Sequence, residues 1–409
     1  MTALEATGII VEYNPFHNGH QHHATSAKKL TDADVIIAVM SGNFLQRGEP
    51  AFVDKWARTK MALASGVDIV IELPYTFATA HAPLFATGAI QLLDAIQCKA
   101  FCFGSEDGTI EPFTKSIQII QQAGESYDFA IKEAVSKGLS YPKALNEAYK
   151  DALNRTTEPD LAADLSKPNN ILGFHYMDAS NAIQSEMKAF TIPRIVADYH
   201  DEAIVGNQIA SATGIRKSFF ESDTLGTVEG FIPEKTRDVL IEWRKQRQNF
   251  GSWSHFYPLL RFTILREGPE RLRLIADVKE GIENLLVRAA ANNDTFAGFM
   301  SDVKSKRYTW TRIQRMLTHI FTGFTYDMRS SIGGTPAYLR LLGMTEIGKL
   351  YLNENKKRLK LPLLSKAAAF SNPSLQMDIH ASDMYALGLG YDTNCSQIGN
   401  DYKIPPIIM

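Results

Sequence analysis

The chain has 409 residues, more than one compact domain usually holds, so two or three domains are expected. Its composition, 45% apolar and 22% charged, excludes a disordered or low-complexity protein, and no uncharged apolar run reaches the ~20 residues needed to span a bilayer. The net charge of −2 hides an imbalance: residues 261–366 carry 19 Lys+Arg against 10 Asp+Glu, a surplus of +9, and the remainder carries −11. That basic stretch fits a polyanionic partner as well as it fits a solvated helical surface. Three cysteines, Cys98, Cys102 and Cys395, give an odd count and no paired framework, and the amino terminus has no basic segment before its apolar run. A reducing, cytoplasmic setting is expected.

The first hundred residues alternate between short apolar runs and amphipathic ones. Thr7–Tyr13, Asp34–Gly42, Asp68–Pro74 and Ala100–Glu106 read as buried strands. Between them, residues 20–30, Val53–Gly66 and Pro83–Ile96 read as helices. This predicts an α/β fold with a doubly wound parallel sheet, whose ligands bind beyond the carboxyl ends of the strands. The pattern is mostly helical from Phe113 to Lys188, strand-like at Ala189–Ala197, and opens another helix at Ala210–Phe220. Helical periodicity then dominates to about Leu361. We place the main boundary near residue 220, giving 1–220 as a catalytic α/β domain and 221–409 as a mainly helical, basic domain.

Directly behind the first strand runs EYNPFHNGHQHH, Glu12–His23, with four of the chain's ten histidines. A helix start at that place offers free N–H groups and partial positive charge to phosphate. His17 and His20 stand one turn apart on one face, and Gly19 between them removes a side chain from the backbone. Two imidazoles on one face can donate hydrogen bonds to a leaving pyrophosphate. His20 and His23, with His17, also have a spacing that could share zinc. No partnering H-E-x-x-H or C-x-x-C segment accompanies them, so no metal site is expected. No P-loop signature occurs, and the lone G-x-G, Gly388–Gly390, follows a helical segment.

HNGH, His17–His20, resembles the H-x-G-H signature of the nucleotidyltransferase superfamily that includes class I aminoacyl-tRNA synthetases. SATGIR, Ser211–Arg216, resembles the second, triphosphate-closing element of small nucleotidyltransferases, with hydroxyls of Ser211 and Thr213 and the Arg216 guanidinium suited to β- and γ-phosphates. Longer blocks narrow the match: SGNFLQRGEPA (Ser41–Ala51), FGSE (Phe103–Glu106), KPNNILGFHY (Lys167–Tyr176) and KRYTWTRIQRML (Lys306–Leu317). Together they resemble the bacterial tRNA(Met) cytidine acetate ligase family.

That resemblance implies an ATP-dependent, adenylate-forming ligase. It would activate acetate as acetyl-adenylate and pass the acetyl group to N4 of the wobble cytidine of elongator tRNA(Met), releasing AMP and diphosphate. Carried over by position, it implies that ATP is held by Ile10, Val11, Glu12, Tyr13, Asn14, Pro15, Phe16, His17, Asn18, Gly19, His20, Gln21, His22 and His23, and by Gly104, Asn169 and Arg194. Catalysis would fall to His17, His20, Ser211, Thr213 and Arg216, with Mg²⁺ bridging phosphate oxygens. In the basic stretch, Lys306, Arg307, Arg312 and Arg315 would bind RNA, while Tyr308 and Trp310 either stack on splayed bases or pack in a helical core. Lys356, Lys357, Arg358 and Lys360 are expected to extend that surface, and at least one of Lys55, Arg58 and Lys60 to reach the strand-end rim beside Arg47. The amino-acid charging of the synthetases does not transfer, because HNGH and SATGIR depart from their H-I-G-H and K-M-S-K-S. Two other readings fit parts of the pattern: a nucleotidyltransferase acting on a small phosphorylated metabolite, and an RNA-binding protein with a vestigial nucleotide fold.

Overall fold

A computed structural model describes residues 3–137, 139, 141–156, 161–194, 209–305, 308–393 and 397–409. Five strands, β1 (Ala6–Val11), β2 (Val35–Ser41), β3 (Ile69–Leu73), β4 (Ala100–Ser105) and β5 (Lys188–Pro193), lie where the apolar runs predicted them. All five are parallel in the order β5-β4-β1-β2-β3. Every residue of β2 and β3 is buried, which explains why those strands read as continuous rather than alternating apolar runs.

One apolar cluster fills each face. On one side, Ile9, Val11, Ala38 and Met40 pack towards the helices of the second half. On the other, Val35, Ile37, Ile71 and Phe101 pack against the helices Ala82–Ala95 and Pro168–Ala182. Four helices between β4 and β5, Glu111–Ala123, Glu125–Ser136, Tyr141–Leu153 and Pro168–Ala182, account for the long helical stretch in the sequence.

The second half is mainly helical, as expected, but it also returns strands to the sheet. Helices do run from 234 to 332, but β6 (Leu339–Met344) then enters the sheet antiparallel to β3. Two further short strands, β7 (Leu363–Leu364) and β8 (Ile407–Ile408), pair with β6. β6 is buried for five of its six residues on a fully enclosed strand position, so its LRLLGM sequence lacks the polar alternation that would mark a strand.

The junction is locked by a buried charge cluster. Lys55 Nζ lies 2.8 Å from both Glu72 oxygens and 2.6 Å from Asp401 Oδ1, with all three side chains buried. Burial opposes the lysine charge, and the two carboxylates outweigh it. Cys98 and Cys102 are free and buried, as expected of core residues; Cys395 lies outside the described residues. Among the described residues, no helix is long and apolar enough to cross a membrane.

Candidate active site

The helix Asn18–Leu30 begins one short loop after β1, and its first turn is capped by histidines in place of the usual hydroxyl and carboxylate. His17 is the N-cap: its Nδ1 accepts from Gly19 N–H at 3.1 Å, while His20 Nδ1 accepts from His17 N–H at 3.2 Å. The two rings stack with centroids 3.7 Å apart. With Nδ1 accepting in both, a neutral ring carries its proton on Nε2. Burial, reinforced by nearby Arg194, pushes His17 down to about 3; burial and the neighbouring imidazoles push His20 well below the ordinary value. Both are therefore neutral Nε2–H donors at pH 7. Gly19 serves this arrangement directly, since a Cβ there would sit 2.9 Å from His17 Cε1.

Both imidazoles line a cavity of about 1080 Å³ across the carboxyl ends of the parallel strands. Six of the ten histidines line it: His81 and His175 join His17, His20, His22 and His23. Burial lowers His23 and His175 to about 4 each. Among the described residues, no group of three or more His, Cys, Asp or Glu is arranged to hold a metal ion. Buried His17, His20, His23 and His175 are therefore uncharged donors and acceptors at neutral pH.

Of the fourteen residues from Ile10 to His23, eight line the cavity. Tyr13, Asn14, Pro15, Phe16, Asn18 and Gln21 do not, and several of them build the loop instead. Asn14 Oδ1 accepts from Phe52 N–H at 2.7 Å, and Asn18 Nδ2 donates to Gly230 O at 3.0 Å. Glu12 lines the cavity with its Oε1 taking Gln46 N–H at 2.7 Å; burial raises its pKa against that bond.

Gly104, Asn169 and Arg194 gather on the same wall. Arg194 donates to Asn169 Oδ1 at 3.1 Å, and Asn169 Nδ2 donates to Glu106 Oε1 at 2.6 Å. Glu106 also accepts the N–H groups of Asn169 and Asn170, capping the helix Pro168–Ala182. No sequence signal marks that capping role, because the two segments are 63 residues apart. A Cβ on Gly104 would lie 3.2 Å from Arg194 Cγ, so the glycine leaves room for that arginine as well as for a ligand.

The second motif meets the first. Ser211 caps the helix Ala212–Ser222, taking Gly214 N–H at 3.1 Å, and it lines the cavity with Ile209 and Ala210. Arg216 donates to Asn14 O at 2.8 Å and pairs with Glu49 at 2.9 Å, so it clamps the first motif's loop without lining the cavity. Thr213 is exposed and also outside the lining, because in a helix it projects away from the face that Ser211 caps.

The helical half closes the cavity from above. Asp277, Lys279, Glu280, Thr309, Thr311, Arg312 and Arg315 all line it. Arg312 lies over the Tyr308 ring at 4.8 Å. Tyr308 is 5% exposed and donates to Lys279 O, which is the core role, whereas Trp310 is 44% exposed. Lys306 and Arg307 lie outside the described residues.

Two expectations about cations are corrected. Lys55 is buried in its carboxylate cluster, and Arg58 is buried donating to Glu12 O, Ser41 O and Val53 O; neither lines the cavity, while Arg47 does. Exposed Lys60 is outside the lining too. The run Lys356–Lys360 lies at the opposite end of the sheet: Lys360 N–H donates to Ala95 O and its Nζ pairs with Asp94 at 2.6 Å, beside the start of β4.

The chain is similar to known proteins over nearly its whole length. The family described as HIGH Nucleotidyl Transferase matches residues 4–400. A tRNA(Met) cytidine acetate ligase of Lysinibacillus sphaericus is 51% identical over 404 residues, covering 99% of this chain and all of the relative. One of Bacillus subtilis is 44% identical over 391 residues, covering 94% and 92%. Among solved structures, Thermotoga maritima TmcAL bound with alpha-thio ATP is similar with a TM-score of 0.88 and 31% identity, covering 99% of this chain and all of that one.

Proposed function

This chain belongs to the HIGH nucleotidyl transferases and, within them, to the tRNA(Met) cytidine acetate ligases, and from that we propose that its strand-end cavity joins acetate to AMP and then to the wobble cytidine of elongator tRNA(Met). The chain is an ATP-dependent ligase acting in tRNA processing. One observation carries the assignment of the chemistry to this cavity: His17, His20 and Ser211, from motifs nearly two hundred residues apart, line it together.

In the first step an acetate oxygen attacks the α-phosphorus of ATP in line, and the bond to the bridging oxygen breaks as diphosphate leaves. The Nε2–H groups of His17 and His20 donate to phosphate oxygens as charge builds there. As neutral donors, these two rings stabilise that charge without the cost of burying an imidazolium. Arg194 and Asn169 hold the nucleotide side, and Ser211 closes on the phosphates. Arg216 contributes by holding the loop at Asn14, and Thr213 contributes no contact in this arrangement. Among the described residues no carboxylate cluster is arranged to cage Mg²⁺; an ion brought in with ATP would supply charge neutralisation at the phosphates. In the second step the N4 amine of cytidine attacks the acetyl carbonyl of the mixed anhydride, and AMP leaves with the electron pair. Of the 221–409 half, we assign tRNA contact to the helices of 234–332, since β6 to β8 belong to the sheet.

The test is acetate-dependent exchange of labelled diphosphate into ATP, followed by mass spectrometry of tRNA nucleosides after reaction with ATP and acetate. Exchange and N4-acetylcytidine are both expected; absence of exchange removes the adenylate mechanism. His20→Ala should lower exchange about 10²–10³-fold with the protein still folded.

A further inference from the structure

The parallel strands present their carboxyl ends in the order β5, β4, β1, β2, β3. The groups read as nucleotide contacts stand over the first three: Arg194 follows β5, Gly104 ends β4, and His17 and His20 follow β1. The cavity continues beyond them. Gln46 and Arg47 follow β2, His81 follows β3, and Arg315 reaches down from the helix Trp310–Thr322. At about 1080 Å³ the cavity lies at the upper end of small-ligand sites, which run to about 1000 Å³, and its lining extends past the residues read as nucleotide contacts.

Two side chains in this second half have no hydrogen-bond or ion-pair partner among the described residues. Arg315 Nε is closed off from solvent without a hydrogen bond, and no described residue gives its guanidinium an ion pair. Arg315 is half-buried and feels the Asp277 charge without an ion pair to it, so a partly desolvated cation is left that favours an arriving anion. His81 precedes the helix Ala82–Ala95 but makes no side-chain cap bond, and its ring bonds to no described residue. We propose that His81 and Arg315 form the acceptor subsite, Arg315 gripping the phosphodiester beside the target cytidine and His81 taking the proton released from its N4. The inference rests on the acetyl-transfer reading above. The step balances: the N4–carbon bond forms, the carbon–oxygen bond of the anhydride breaks, AMP keeps that electron pair, and the amine proton passes to the imidazole.

His81 lines the cavity but stays exposed to solvent; partial desolvation there, with the Arg315 and Arg329 charges, lowers its pKa against the opposing pull of Asp277, and His175 faces it from the helix Pro168–Ala182. The ring is thus a free base at neutral pH, as a proton acceptor must be.

The two half-reactions separate this from the function it rests on. Single-turnover transfer from preformed acetyl-adenylate to tRNA should fall about 10²-fold or more in His81→Gln, and the wild-type fall of that rate at acid pH should flatten. Acetate-dependent diphosphate exchange should change far less. Arg315→Ala should weaken tRNA binding and reduce the salt dependence of log K by about one unit, as loss of one phosphate contact does. If exchange and transfer fall together in His81→Gln at an unchanged melting temperature, or transfer is unaffected, the acceptor role is wrong. A raised KM for acetate in Arg315→Ala, with normal tRNA binding, would instead make that arginine the acetate anchor and overturn the proposal. No exchange in the wild type would reject the adenylate-forming step, and transfer from preformed acetyl-adenylate in wild type and His81→Gln would still decide the subsite.

Discussion

A histidine at a helix N-cap is unusual, and at His17 one ring has two duties: Nδ1 caps the helix and Nε2–H faces the cavity. Asparagine is a good N-cap but lacks that donor. His17→Asn should therefore keep the melting temperature close to wild type and lose diphosphate exchange, whereas His17→Ala should lose exchange and about 1 kcal/mol of stability in denaturant titrations. His23 supports a prediction about pH. Its folded pKa of about 4 lies below the ordinary ~6.5, so the unfolded chain binds more protons between those values. Stability from this site is undiminished at and above pH ~6.5, falls with falling pH, and stops falling near pH 4. Comparing wild type with His23→Gln by chemical denaturation from pH 7 to 4, the difference should shift against the wild type by up to about 3 kcal/mol. At this scale the sequence showed four clustered histidines and a shared face, but not the reciprocal capping that fixes their protons. Nor could it show His81 and His175, which reach the cavity through contacts distant along the chain.

Among the elements, the loop Ser41–Ala51 is the hinge piece between sheet and helices. Its Gly48 has φ +74°, and a Cβ there would sit 2.2 Å from Arg315 N in the helix Trp310–Thr322. Trp253 Nε1 donates to Gly48 O at 2.7 Å, fastening a second helix to the same turn. Gly48→Ala combines a strained backbone with a backbone clash. It should cost about 1–3 kcal/mol in denaturant titrations and impair acetyl transfer more than diphosphate exchange, because the displaced helix carries Arg312 and Arg315. Strands β1 to β5 were legible because each is a short apolar run bounded by turn residues. β6 was not, since LRLLGM sits between helical segments and no local pattern distinguishes a buried strand from a buried helical turn. The same limit applies to Lys55: on a helix that reads as amphipathic, a lysine looks solvent-facing until Glu72 and Asp401 are known to surround it.

For the molecule as a whole, substrate binding and folding are coupled. Ligand at a hundred times its dissociation constant should stabilise the fold by about 2.7 kcal/mol, so ATP should raise the melting temperature in wild type and much less in Arg194→Ala. The buried cluster makes a complementary prediction: Asp401→Ala leaves Lys55 with Glu72 alone and should destabilise the entire protein by about 3–5 kcal/mol, read as one cooperative transition rather than the loss of a peripheral segment. The location of the cavity, at the strand ends behind β1, was legible from topology and one motif. The roof over it was not, because it is built by residues that meet only once the helical half has folded back.

β6 has a consequence for biosynthesis. During translation the β3 edge emerges long before its partner at residues 339–344, and an uncapped strand edge is a template for unwanted pairing. Ribosome-stalled intermediates halted short of residue 330 should accordingly need chaperone shelter, and a recombinant 1–220 fragment should be recovered from inclusion bodies rather than as an autonomous enzyme.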